Sequence, residues 1–245
     1  MTASGIAFGN ILRKDLNNYY LKPPNISWGI IFPIAWALMF FLRSKDAVDV
    51  RNLLPGVMAM AVLFGTTSLL SVTLTFERKS RSFERLLLAP LDLNLVMLAK
   101  TTGAIAFGIV NALVPVVIAA FVADLAGINW FIVWGGVILI AITSTFLGLF
   151  ISVTAHEVFE AQTYSNFFRF PMLFLCGLFV PITQLPTVLR PLSYLMPLTY
   201  GTDILKTAIH GDGVLPPELS FPVLIGFSVA LFLLSMANIK KKWIY

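Results

Sequence analysis

The sequence predicts an all-α integral membrane protein with a single transmembrane domain over residues 1–245. Of its 245 residues, 58% are hydrophobic and only 12% are charged, whereas soluble domains carry roughly 25% charged residues. The mean hydropathy is +0.87. Long apolar runs alternate with short charged connections, which is the pattern of several helices crossing a bilayer.

Six apolar runs are candidates for crossing the hydrocarbon core, which takes about 20 residues in a helix. Pro33 interrupts the first run. In the third run, Ala104, Gly108 and Ala112 recur every fourth residue and predict close approach by another helix. The six predicted spans are residues 26–42, 53–76, 93–122, 130–153, 164–180 and 221–239.

Residues 6–24 are predicted to form an interfacial helix before the first span. Apolar and aromatic residues are interleaved there with three charged ones, Arg13, Lys14 and Asp15. This composition suits a helix that lies in the membrane surface. A proline pair then ends the helix, and the chain turns into the bilayer.

The densest charge cluster lies between the second and third spans and predicts a short helix over residues 80–90. Ser82 is a good N-cap, Glu84 lies near the positive helix end, and Pro90 ends the helix. Such a helix, held between two spans, suits the docking of a partner protein. A charged loop that only sets membrane topology would show the same pattern. The candidate docking residues are Glu77, Arg78, Arg81, Ser82, Phe83, Glu84, Arg85, Leu86 and Leu87.

The basic residues predict that both termini lie in the cytoplasm, because cytoplasmic loops are enriched in Lys and Arg. Lys100 is close enough to the inner end of its span to snorkel. Arg169 is interpreted as an interfacial anchor rather than a functional charge within the membrane. With the N-terminus inside, the inner segments hold Arg13, Lys14, Lys22, Arg78, Lys79, Arg81, Arg85, Lys100, Lys240, Lys241 and Lys242, and the outer ones hold Arg43, Lys45, Arg51, Arg190 and Lys206.

Residues 184–204, between the fifth and sixth spans, are apolar but too rich in proline to cross the membrane. Since each proline interrupts a helix, short re-entrant helices that dip in from the outer face fit the pattern, with their backbone breaks buried in protein. A surface amphipathic loop is the alternative. The candidate outer-gate residues are Pro181, Pro186, Pro197, Thr199, Tyr200 and Asp203.

The sequence lacks the motifs of a self-sufficient pump or enzyme. It contains neither a phosphate-binding G-x-x-x-x-G-K-[ST] loop nor an H-E-x-x-H metal motif, and its one cysteine, Cys176, cannot form an internal disulfide. The net charge of +5 does not indicate nucleic-acid binding, because the basic residues lie in short connections and ends. We expect no cofactor in this chain and a partner that hydrolyses ATP.

Two other functions fit parts of the sequence. A membrane-embedded enzyme that modifies lipids would need His156, Glu157 and Glu160 to converge at one membrane level. A stand-alone ion-coupled carrier would need ionisable residues near the middle of its spans. The second, third, fourth and sixth predicted spans have none there.

Three motifs resemble the membrane subunit of type-2 ABC exporters, in the branch of the daunorubicin-resistance and nodulation-factor exporters. Arg81-Ser82 stands where that family usually has Gly-Thr before its coupling-helix core, and Met196 stands where Asn is common. The matching runs are residues 76–91 with Lys100, which resemble the coupling-helix signature, residues 176–181, 185–186 and 197–203, and residues 53–56 at the start of the second span.

The resemblance implies a homodimer of six-span subunits, or a pair with a related permease, above two copies of an ATP-binding cassette subunit that binds ATP and Mg. It implies that the coupling helix docks in a cleft of that ATPase, beside the interfacial helix. The substrate path would run between the two permeases along spans two and five. The implied function is export of an amphipathic drug, lipid or glycolipid across the plasma membrane, with membrane lipids as further partners and no nucleic acid.

Overall fold

The computed structural model describes residues 3–43, 50–88, 91–239 and 241. Within these residues the chain is helical with no β-strand, which confirms the predicted all-α class. Two π-helical turns, Leu16–Tyr20 and Ser27–Ile31, and a 3-10 turn, Ile182–Gln184, lie between the α-helices. The α-helices are α1 Ala3–Asp15, α2 Pro23–Ile26, α3 Phe32–Arg43, α4 Val50–Lys79, α5 Ser82–Leu87, α6 Leu93–Val122, α7 Trp130–Thr154, α8 Val158–Leu175, α9 Arg190–Tyr194, α10 Pro197–His210 and α11 Pro217–Ile239.

Among the described residues, four helices are long and apolar enough to cross a membrane: α4, α6, α7 and α11. They contain the predicted spans 53–76, 93–122, 130–153 and 221–239. Helix α4 is enclosed by α6, α7 and α8 and is almost entirely buried, whereas only 33% of the apolar stretch of α6 and 28% of that of α11 are buried. Helix α4 is therefore the central element of the bundle.

The first predicted span, residues 26–42, lies in a helical stretch that runs from residue 23 to residue 43. Pro33 does not interrupt it, contrary to the prediction. A proline cannot donate the backbone hydrogen bond of its turn, and the π-helical turn Ser27–Ile31 lies just before Pro33, where that missing bond falls.

The fifth predicted span, residues 164–180, is displaced in the structure. Helix α8 begins at Val158 and ends at Leu175. It ends there because Gly177 adopts a left-handed φ of 79°, a backbone conformation that commonly terminates a helix and that glycine tolerates best. Polar residues in its first two turns interrupt the apolar pattern, so the predicted span begins later than the helix.

Small residues bring α4 close to α6 and α7. The stripe predicted in α6 is confirmed as a packing face: it is buried, and a Cβ added to Gly108 would lie 2.2 Å from Thr66 Cγ2. In α7, a Cβ added to Gly148 would lie 2.8 Å from the Thr67 carbonyl oxygen. Because a backbone oxygen cannot rotate away, only glycine fits at residue 148 without moving one of the two helices.

The ends of the long helices lie at two levels of the bundle. The level that holds α5 is named the α5 end, and the level that holds the last turn of α10 is named the α10 end. At the α5 end, Lys79 pairs with Glu157 at 3.0 Å, which joins the end of α4 to the start of α8. At the α10 end, Arg51 Nη2 donates to the Ile209 carbonyl at 3.0 Å. The predicted topology assigns the α5 end to the cytoplasm and the α10 end to the exterior.

Replacing Gly148 with alanine is expected to destabilise the bundle by about 1–3 kcal/mol, the usual cost of overpacking a core. Gly226→Ala in α11 is the matched control, because a Cβ there meets no heavy atom within 4 Å. Thermal unfolding in detergent measures both variants: the Tm falls for Gly148→Ala and stays unchanged or rises for Gly226→Ala, because alanine favours a helix more than glycine does. Equal Tm values would contradict the close α4–α7 contact.

Candidate functional site

Four charged residues join α1, α4 and α6 at the α5 end: Lys14, Asp15, Glu77 and Lys100, together named the charge cluster. Lys14 Nζ donates to Glu77 Oε1 at 2.6 Å. Lys100 Nζ lies 2.5 Å from Glu77 Oε2 and 3.1 Å from Asp15 Oδ2. Only the Lys14 side chain reaches the surface, at 34% exposure. Two positive and two negative charges balance, which is the condition under which buried ion pairs are tolerated.

The surroundings of the charge cluster are aromatic and poorly solvated. The Tyr20 hydroxyl donates to the Lys100 carbonyl at 3.4 Å. Burial, assisted by the carboxylates of Glu77 and Asp15, raises the pKa of Tyr19 to about 12. Burial also raises the pKa of Asp15, and the neighbouring Lys100 offsets only part of that effect. The carboxylates of the charge cluster therefore depend on the two lysines to stay ionised.

Helix α5 is shorter than predicted and starts differently. The prediction placed a helix over residues 80–90 with Ser82 as N-cap, but α5 spans Ser82–Leu87 and Ser82 is its first residue. Arg81 precedes the helix with a left-handed φ of 54° and no side-chain cap bond. The predicted N-cap role of Ser82 is therefore wrong. Pro90, the predicted end of the helix, lies outside the described residues.

Three of the predicted docking residues point into the bundle instead of outward. Glu77 belongs to the charge cluster, and Phe83 is buried against α4 and α6. Arg78 Nη1 donates to the carbonyls of Ser152 and Ala155 at 3.2 Å each, which ties the end of α4 to the end of α7. Glu77, Arg78 and Phe83 therefore lie in the predicted docking segment without forming its outward face.

The other predicted docking residues form the outward face of α5. Arg81, Glu84 and Arg85 are exposed. Ser82 and Leu86 are half-buried, and the side chain of Leu87 lies outside the described part of the chain. A short helix with an apolar inner side and a charged outer side is thus present at this position.

The charged residues of the predicted interfacial helix also differ in their surroundings. Arg13 is exposed, whereas Lys14 and Asp15 face the charge cluster. The prediction that Lys100 snorkels to the membrane surface is wrong, because this side chain is buried and paired. Sequence reasoning missed the pair because Asp15 lies 85 residues away along the chain.

At the α10 end, α9 and α10 satisfy the last carbonyls of α8, which have no partner within their own helix. The Ser193 and Thr202 hydroxyls donate to the carbonyls of residues 175 and 176, the second at 2.8 Å. Lys206 Nζ donates to the carbonyl of residue 177 at 2.5 Å. The predicted re-entrant region is therefore fastened to the end of α8.

Half of the predicted outer-gate residues are buried on α10. Thr199 Oγ1 donates to the Ser193 carbonyl at 2.6 Å. Asp203 accepts from the backbone N–H groups of Val214 and Leu215 at 2.7 and 2.9 Å, which closes the loop before α11. Pro197 is also buried, Tyr200 is half-buried, and Pro181 and Pro186 are exposed.

The residues proposed for a lipid-modifying enzyme do not form a converging centre. The His156 backbone N–H donates to Glu160 Oε2 at 2.8 Å, so Glu160 serves the start of α8. Glu157 forms an exposed ion pair with Lys79. The geometry therefore gives the enzyme hypothesis no support.

Arg169 is fully buried between α8 and α4. The interpretation of this residue as an interfacial anchor is therefore wrong. Its contacts differ from those of the charge cluster, because its hydrogen-bond acceptors are all neutral.

Comparison with known proteins establishes the family. Residues 7–209, most of the chain, match the ABC-2 type transporter family. This chain is a member of the ABC-2 type transporter family. The membership confirms the resemblance seen in the sequence motifs, and the ABC-2 match covers α1 from Ala7 onward, the charge cluster, α5 and all but the last residue of α10.

Relatives of this ABC-2 protein are named for transport or nodulation. It is 24% identical over 245 residues to the inner membrane transport permease YadH of Escherichia coli, covering 96% of this chain and 95% of that protein. It is 29% identical over 222 residues to Nodulation protein J of Sinorhizobium fredii, covering 86% and 82%. Nodulation protein J of Rhizobium meliloti is 25% identical over 222 residues. These likenesses support a permease role for this ABC-2 chain.

Removing one charge from the cluster is expected to cost more stability than removing an opposite pair. Glu77→Gln leaves two lysines with Asp15 alone, and breaking a buried pair in this way costs about 3–5 kcal/mol. Combining Glu77→Gln with Lys100→Met leaves Lys14 and Asp15, 3.8 Å apart and neutral together. Thermal unfolding in detergent should give a higher Tm for the double variant than for Glu77→Gln. Additive losses of Tm from the two single variants would contradict charge balance as the source of stability.

Proposed function

We propose that this chain is the permease subunit of an ATP-driven exporter and that α5 receives movement from a separate ATP-binding cassette subunit. The observation that supports this most directly is the charge cluster behind α5. The last turn of α4 carries Glu77, and only residues 80–81 separate the end of α4 from α5, whose charged face points outward. A force on α5 would therefore reach α1, α4 and α6 together.

The outward face of α5 suits a protein partner. Arg81, Glu84 and Arg85 offer both signs of charge for hydrogen-bonded ion pairs. Phe83, buried beneath them with 2% exposure, anchors the helix to the bundle, so that α5 is pressed against a fixed support. ATP and Mg would bind to the partner, expected in two copies, because this chain carries no phosphate-binding loop.

In this proposal the chain crosses the plasma membrane six times, with both termini in the cytoplasm. Residues 23–43 and α8 would be the first and fifth spans, beside the four long apolar helices. The basic residues at the α5 end support a cytoplasmic position for it. A second copy or a related permease would complete the transporter, and the exposed Phe159 and Phe167 of α8, at 84% and 71%, support an apolar contact there.

Helices α9 and α10 would form the re-entrant cap on the external side. A Cβ added to Gly201 would lie 2.4 Å from Ile140 Cγ1 near the middle of α7, so α10 begins about half-way along the bundle and runs toward the α10 end. This depth supports a helix that dips into the membrane from outside. The cargo would be an amphipathic molecule such as a drug, lipid or glycolipid.

Replacing both Glu84 and Arg85 with alanine is expected to uncouple this chain from its ATPase. The two side chains are exposed, so membrane insertion and Tm should stay unchanged. The affinity for the ATP-binding cassette subunit and the stimulation of its ATP hydrolysis by this permease should fall about tenfold or more, because a docking hot spot is lost. Co-purification and ATPase assays in proteoliposomes measure these quantities.

The matched control replaces Lys79 and Glu157 with alanine. This exposed ion pair lies at the same end of the bundle but outside α5, and exposed pairs contribute little to stability. The control variant should bind and stimulate the ATPase as the parent does. Normal ATPase binding and stimulation by the Glu84 and Arg85 variant would overturn the docking role of α5.

A further inference from the structure

Arg169 is a buried cation without a carboxylate partner among the described residues. Its Nε donates to the Ser165 carbonyl at 3.0 Å, and its Nη1 donates to the Phe64 carbonyl at 3.2 Å and to Ser68 Oγ at 2.8 Å. Its Nη2 donates to Asn166 Oδ1 at 2.9 Å. These neutral acceptors hold the guanidinium in place but leave its positive charge uncompensated.

The polar side chains around Arg169 are Ser68, Gln162 and Asn166, together named the polar seam. The polar seam has a surplus of hydrogen-bond donors as well as a surplus of positive charge. Ser68 Oγ, which accepts from Arg169, also contacts Gln162 Oε1 at 3.4 Å. The Gln162 Nε2 group is buried and finds no hydrogen-bond partner in the described part of the chain. Leaving a buried donor unpaired is costly, and so is leaving a buried charge uncompensated. The group that would satisfy both is an anion with acceptor oxygens.

Arg169 lies at mid-depth of the bundle. It contacts Phe64 and Ser68, which are at the middle of the central helix Val50–Lys79. The middle of a bilayer is where a charged headgroup is least stable. A fixed cation at this depth would lower the barrier for an anionic headgroup half-way through its passage.

Aromatic rings continue from Arg169 toward the α10 end. The guanidinium carbon lies 4.7 Å from the Phe64 ring centroid and 5.8 Å from that of Trp28. Trp28 packs on Phe32 at 5.4 Å and Phe32 on Trp36 at 6.2 Å. Trp36 borders a cavity of about 120 Å³. An apolar chain attached to the anion would find a continuous aromatic surface beside the cation.

We infer that Arg169 binds the anionic headgroup of the cargo, so that the cargo class is an oxyanion (phosphate, sulfate or carboxylate) linked to an apolar chain. In this structure α8 and α4 enclose the guanidinium. Parting of these helices admits the headgroup, which replaces neutral acceptors and takes up the free Gln162 amide. This assignment rests on the proposed export function and specifies its substrate.

Trp28 is a built-in reporter for the test, because its ring lies against the Arg169 guanidinium. Purified protein in dodecyl maltoside is titrated with monododecyl phosphate while tryptophan fluorescence is followed. A saturable change is expected, and it should disappear in Trp28→Phe. In Arg169→Gln the affinity should fall about tenfold or more, because a charge-assisted bond is lost, whereas Arg169→Lys, which keeps the charge, should retain part of it.

Two further probes separate the sources of the anion. Inorganic phosphate tests a free oxyanion, and 1-dodecylglycerol tests a neutral amphiphile of similar chain length. Both should produce no saturable change at concentrations where monododecyl phosphate saturates. Equal binding of inorganic phosphate would overturn the assignment to an amphiphile. Equal binding of 1-dodecylglycerol, or parent-like affinity for monododecyl phosphate in Arg169→Gln, would overturn the role of the cation.

Gln162→Leu keeps the proposal testable if Arg169→Gln fails to fold. It removes the unpaired amide and leaves Arg169 in place, so Tm should not fall and the affinity for monododecyl phosphate should drop several-fold. Parent-like affinity would count against the polar seam as the binding site.

The binding experiment needs no ATPase. The variant with Glu84→Ala and Arg85→Ala should therefore bind monododecyl phosphate as the parent does, so the coupling proposal and the cargo proposal fail separately.

Discussion

Three buried charges, balanced by the partly exposed Lys14, fix the arrangement of the helices around them at the α5 end. Two lysines and two carboxylates cannot leave water singly without a large desolvation cost, so each is stable only where its partners are already present. Because the four residues come from α1, α4 and α6, these helices are held at one level relative to each other. Helix α5 is too short to be stable alone, and its position follows from the ends of α4 and α6 that flank it.

The α10 end is held by a different kind of interaction. There Ser193, Thr202 and Lys206 donate to the carbonyls that end α8, and Arg51 donates to a carbonyl of α10. Bonds to neutral carbonyls are worth about 0.5–3 kcal/mol each, less than the about 3–5 kcal/mol lost when a buried charge loses its partner. Removing one partner is therefore expected to cost more at the charge cluster than at the bonds of the α10 end.

The sequence predicted the helices better than their contacts. Helix α6 was predicted to the residue, 93–122, because an apolar run of that length has few alternatives in a bilayer. Helix α8 was displaced because polar residues such as Glu160 and Gln162 dilute its first turns and because Gly177 ends it early. The charge cluster could not be predicted, because its bonds join residues 63 and 85 positions apart. The sequence alone does not distinguish Glu77 from Glu84, yet Glu77 is buried and Glu84 is exposed.

Helix α4 connects the charge cluster to the polar seam around Arg169. It carries Glu77 in its last turn, and its middle supplies the Phe64 carbonyl and the Ser68 hydroxyl that hold the guanidinium. A helix of 30 residues is about 45 Å long, and one that is enclosed by its neighbours moves as a rigid body. A displacement that entered at Glu77 would therefore move two acceptors of Arg169 relative to α8. Such a packed, contiguous element is a physical route for coupling between distant sites. Helix α8 is joined to α4 by neutral hydrogen bonds at Arg169 and by the exposed Lys79–Glu157 pair, and in the cargo proposal it is the helix that parts from α4.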